Sequence, residues 1–124
     1  MKQLTEKLFQ GIWRSYKVFQ RTGDVKLHSK ELYQEFNFNT ERWLSITSYH
    51  NKNAESRAHT NDWNITFKDK RHYLNVEGKY LKYEVITINH IALVLMDTST
   101  NEKFFFARPQ TWENYIDTQK SLTL

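Results

Sequence analysis

Residues 63–78 read WNITFKDKRHYLNVEG. Trp63, Ile65 and Phe67 alternate with polar residues, and Leu74 and Val76 alternate again beyond the charged group Lys68, Asp69, Lys70 and Arg71. A period of two belongs to a strand with one face on a core and the other in water. The stretch therefore predicts two strands joined by a solvated hairpin tip, with Gly78 turning the chain into a third.

The same period continues in both directions. Downstream, Tyr83 and Val85 mark one strand, Leu93 and Leu95 the next after Asn89-His90, and Phe104, Phe106 and Arg108 the last after the turn region Asp97–Asn101. Upstream, a first strand reads from Gly11 to about Gln20, before the turn Thr22-Gly23-Asp24, and a second ends in Leu32, Gln34, Phe36 and Phe38 before Asn39-Thr40. A third, Arg42 to His50, has Trp43 and Tyr49 on one face and Leu44 and Ile46 on the other, and the pattern leaves open which face is inside. Residues Asn51–Asn61 are polar without alternation and read as a loop or a ragged strand end, a rim of the fold. Eight strands with short connections pair antiparallel, and no long helical pattern between them argues for a parallel sheet. The expected fold is all-β: one domain over residues 1–124, an eight-stranded antiparallel up-and-down barrel.

Helical spacing is confined to the ends. Leu4, Leu8 and Phe9 suggest a short helical turn before the first strand. After Pro109, Thr111 reads as an N-cap with Glu113 in the first turn, and Trp112, Tyr115, Ile116 and Gln119 fall on one face of a helix expected to lie on the outside of the sheet.

The totals narrow the function. A 124-residue chain is one domain's length. With no cysteine, disulfides, thiolate metal sites and cysteine nucleophiles are excluded. Three glycines cannot build a phosphate loop or a dinucleotide fingerprint, and the serine elbow G-x-S-x-G is missing. The five histidines show no H-x-H or H-x-x-x-H spacing, so neither metal nor cofactor is expected, and an enzyme reading has no residues to name. A net charge of +4 is spread along the chain, and the basic tip with Asp69 inside it reads as solvated, so no nucleic-acid partner is expected. The start MKQLTEKLFQ lacks the apolar run of a signal peptide, and Ile91–Met96 is too short to span a membrane. The chain reads as soluble, and as cytoplasmic if Met1 is its native start.

Gly11-Ile12-Trp13 heading the first strand, and Arg108 ending the last, form a pair of positions with a known counterpart. Together with the alternating pattern over roughly residues 8–108, they resemble the small lipocalin-like domains of bacteria, of the calycin superfamily. The resemblance implies that Trp13 closes the base of the barrel and that Arg108 lies across its ring. A guanidinium over an indole face gains about 0.5–2 kcal/mol, and its fork can satisfy carbonyls left free at a barrel end. The chain departs from classical secreted lipocalins in being shorter, lacking their disulfides and showing no match to their middle motif.

Eight strands enclose an interior that side chains can fill or that can hold one small ligand. The inward set is expected to be Trp13, Phe36, Phe38, Trp63, Ile65, Phe67, Leu74, Val76, Tyr83, Val85, Leu93, Leu95, Phe104 and Phe106. The first functional reading is a small hydrophobic ligand in the lumen, touching Phe36, Phe38, Trp63 and Tyr83, with Tyr49 and His50 near a mouth opposite Trp13. The alternative is a filled barrel that serves as a non-catalytic protein-interaction or structural module.

Overall fold

The computed structural model describes residues 6–39, 43–51, 54–55 and 59–122. A 3-10 turn over Glu6–Phe9 leads into β1 (Gly11–Phe19), β2 (Val25–Leu27), β3 (Tyr33–Phe38), β4 (Trp43–Asn51), β5 (Ala54–Glu55), β6 (His59–Lys68), β7 (Arg71–Val76), β8 (Lys79–Ile88), β9 (Ala92–Asp97), β10 (Lys103–Ala107) and the helix α1 (Pro109–Leu122). Eight of these strands form the barrel wall in the order β1, β3, β4, β6, β7, β8, β9, β10, and antiparallel pairing of β10 with β1 closes it. The short strands β2 and β5 add to β1 and β4. Among the described residues no helix is long and apolar enough to cross a membrane.

Alternation places the core. Trp13, Phe36, Phe38, Leu44, Trp63, Leu74, Leu93, Leu95 and Phe106 are buried inside the barrel, with Ile65, Tyr83, Val85 and Phe104 packed against them. Leu44 is fully buried and Trp43 is exposed, which settles the inward face of β4. Phe9, from the 3-10 turn, is also fully buried and inserts between Phe38 and Trp63, at ring-centre distances of 5.4 and 5.7 Å. The N-terminal turn is thus the plug of one barrel end.

Three expectations are corrected and one open alternative is decided. Phe67 is half exposed, although it shares the inward side of β6 with Trp63 and Ile65. Among the described residues the pairing of β6 with β4 ends at Asp62, and Phe67 lies near the hairpin tip, where β6 pairs with β7 and the Phe67 ring meets His72 at 4.8 Å. Of the two readings of the polar stretch 51–61, loop or ragged strand end, the described part follows the second: Asn51 belongs to β4, Ala54–Glu55 forms β5 and β6 begins at His59. Backbone pairing of Ile46 with His59 through Trp43 with Asp62 needs no apolar alternation; Thr40–Arg42 and residues 52, 53 and 56–58 lie outside the described residues. The predicted second strand is two pieces, since β2 and β3 both pair with β1 and a turn closed by Ser29 and Leu32 separates them. Finally, α1 starts at Pro109 and not after Thr111. Proline fits the first helical position, where its missing N–H has no partner to lose, and the Arg108 carbonyl accepts the Trp112 N–H at 2.7 Å. Glu113 therefore lies beyond the first turn.

The helix packs as its spacing predicts. Trp112 and Ile116 are buried against Ala107, Tyr16 and Tyr33, and Tyr115, partly exposed, meets the Tyr16 ring at 4.6 Å.

Candidate functional site

The closed end is built around three residues. Arg108 lies with its guanidinium carbon 3.7 Å from the centre of the Trp13 ring. It donates to the carbonyls of Gln10 at 2.9 Å, Leu8 at 3.2 Å and Ile12 at 3.4 Å, while Trp13 Nε1 donates to the Phe9 carbonyl at 2.9 Å. The bonds to Leu8, Phe9 and Gln10 satisfy carbonyls of the plug, which precede the first strand. Gly11 has φ of +105°, and a Cβ there would stand 2.9 Å from Arg108 Nη1, so glycine is required twice over.

Above this base the interior is lined with packed aromatic rings. Phe36 meets Phe106 at 4.9 Å, Tyr83 at 6.0 Å and Phe38 at 6.1 Å, and Phe38 meets Trp63 edge-on at 5.0 Å. Burial, and then the nearby Asp97 carboxylate, push the Tyr83 hydroxyl up to about 12, so it stays protonated. Four of the six expected ligand residues, Phe36, Phe38, Trp63 and Tyr83, are therefore neighbours in a packed aromatic core.

The barrel opens at the other end. A cup of about 260 Å³ is lined by Val18, Gln20, Lys26, His28, Leu32, Tyr33, Gln34, Ser48, Tyr49, His50, Glu102 and Phe104. The other two expected residues, Tyr49 and His50, are here, and they are not neighbours of the first four. Tyr49 stacks on Tyr33 at 4.6 Å, and Tyr33 in turn meets Trp112 of the helix at 4.6 Å. Phe104, on the cup wall, lies 6.5 Å from Phe106 and so joins the cup to the core below.

The cup exists because β1 changes partner. Its first half pairs with β3 as far as Arg14 with Glu35, and its second half pairs with β2 from Lys17 with Leu27. In the gap, Ser15 is fully buried; its hydroxyl accepts the Gln34 N–H at 2.9 Å and sits 2.7 Å from His28 Nδ1. Trp112 Nε1 donates to the Ser15 carbonyl at 2.8 Å, and the Gln119 amide donates to the carbonyls of Tyr16 and His28. Helix side chains thus seal the gap from outside. Burial holds the His28 ring at about 4, against a Ser15 backbone contact that favours the charged ring, and the Lys26 amine adds to the lowering. The ring is neutral at pH 7.

Lys26, His28, Gln34, Ser48 and Glu102 carry most of the cup's chemistry, and the sequence reading names none of them as a site residue. One signal pointed there: Ser15 stands two residues after Trp13, a polar residue in phase with the core face.

Together the fold and the cup define a closed antiparallel β-barrel, packed at one end and open at the other. No protein-family model, curated protein or solved structure matches the chain.

Proposed function

We propose that this is a lipocalin-like binding protein that takes one small molecule into the cup opposite Trp13. The cup of about 260 Å³ carries the reading: it is concave, partly apolar and edged with fixed polar groups. It is smaller than the roughly 300–1,000 Å³ of drug-sized sites, so the ligand is compact. Its apolar part rests on Phe104, Val18 and Leu32, with Tyr49 and His50 at the edge, and the packed group Phe36, Phe38, Trp63 and Tyr83 supports that floor. Native mass spectrometry of the purified protein, with organic extraction of what accompanies it, tests this reading. The expected result is a protein ion carrying one small adduct that is lost in Phe104→Trp, which fills the cup.

A second reading is favoured by a different observation. Phe19, Val25 and Leu27 are 38%, 48% and 41% exposed side by side across the β1–β2 pair. A barrel that works through this outer face would be an interaction module, and it would show a protein partner or a self-complex in the same spectra.

A further inference from the structure

We propose that the cup selects a small carboxylate, with His28 as hydrogen-bond donor and Lys26 as counter-charge; this rests on the binding reading above. His28 is nine-tenths buried yet lines the cup, and its one side-chain bond is made by Nδ1 to Ser15. Nε2 makes no hydrogen bond among the described residues and is not sealed from solvent. The Ser15 hydroxyl already accepts the Gln34 N–H, so its own proton has one acceptor among the described residues, Nδ1. That assignment puts the ring proton on Nε2 and makes it a donor on a residue of the cup lining.

The charges agree. Lys26 stands opposite Val18 on β2, which turns it to the inner side, and its amine is near enough to His28 to act on the ring. It has no carboxylate partner among the described residues. Glu102, the other charged group of the lining, accepts from Thr100 Oγ1 at 3.3 Å at the rim. A neutral donor that keeps its proton, next to an uncompensated cation and above the apolar surfaces of Val18, Leu32 and Phe104, fits a compact carboxylate with an apolar body. A ligand amine would face Lys26 and a donor at once.

The experiment is an NMR titration of the whole chain with benzoate, benzamide and benzylamine, matched in size. Benzoate is expected to bind about tenfold more tightly than benzamide, the weight of one charge-assisted contact, and benzylamine least. The benzoate preference disappears in Lys26→Gln, which changes only an exposed side chain, and survives in Lys70→Gln, an exposed lysine of the β6–β7 hairpin tip outside the cup lining. Long-range ¹H–¹⁵N correlation of the free protein is expected to show the His28 proton on Nε2, and Ser15→Ala to mix the two tautomers. If benzamide matches benzoate at the cup, or the proton sits on Nδ1, the carboxylate assignment falls while the binding reading stands. If none of the three perturbs the cup, both fall.

Discussion

Arg108 and Gly11 hold one another in place: the Arg108 guanidinium, fixed over Trp13, occupies the space that a side chain at residue 11 would need. Two ends of the chain, nearly a hundred residues apart, are locked together there. Gly11→Ala is expected to cost about 1–3 kcal/mol, since it meets both an unfavourable φ and the guanidinium. In an Arg108→Ala background the same change costs less, because only the φ penalty remains. Urea melts of the four proteins measure this, and strict additivity of the two changes would show that the contact is idle.

Arg108→Ala alone is expected to lower stability by about 1–3 kcal/mol through lost stacking and unpaired carbonyls of Leu8, Gln10 and Ile12. Arg108→Lys recovers little, since an ammonium cannot lie flat on the indole and reach three carbonyls together. A loss below about 0.5 kcal/mol, typical of a surface change, would count against this base.

The strands and the base were legible because both rest on local rules. Alternation places Phe36, Trp63, Leu74 and Phe106 inside whatever the register, and the G-x-W and late arginine have a fixed geometry to fulfil. The cup was not legible, since it comes from the change of partner along β1. The turn between β2 and β3 contains neither glycine nor proline, and Ser15, whose role depends on that gap, binds residues 13 and 19 positions away. Phe67 shows the opposite limit: its period is right, but alternation marks only a side of the strand, and how much of that side is covered near a hairpin tip is set by the stagger of the whole barrel.

Removing α1 by truncation after Arg108 is expected to lower the melting temperature and to raise binding of a hydrophobic dye. Trp112 and Ile116 would leave Tyr16, Tyr33 and Ala107 uncovered, and Ser15 would lose the donor to its carbonyl. Trp112→Ala alone should cost about 3–5 kcal/mol, as for a buried large aromatic. Unchanged melting would mean that the helix only rests on the barrel.

Stability should fall on mild acidification because of His28. Its folded value near 4 lies below the ordinary 6.5, so the unfolded chain binds the proton first. The stabilisation is complete above pH 6.5 and is lost as pH falls through 4, about 3 kcal/mol in total. In Asp97, burial works against the carboxylate, but bonds from Ser99 and Lys82 outweigh it and lower its pKa, so it too loses stabilisation on acidification. That loss is common to wild type and His28→Gln, and cancels in their difference. The wild-type advantage over His28→Gln should therefore shrink steadily from pH 6.5 to 4, and a constant difference would mean that the ring is freely hydrated.

The most direct test of the barrel as a binding protein is a fragment titration followed residue by residue in backbone amide spectra. Compact apolar fragments with a polar head should give saturable shifts at Val18, His28, Gln34, Ser48 and Phe104, leave Trp63 in the packed core unmoved, and lose the effect in Phe104→Trp. Shifts confined to Phe19, Val25 and Leu27 on the outer face, or no saturable shift at the cup with any fragment, would contradict the account.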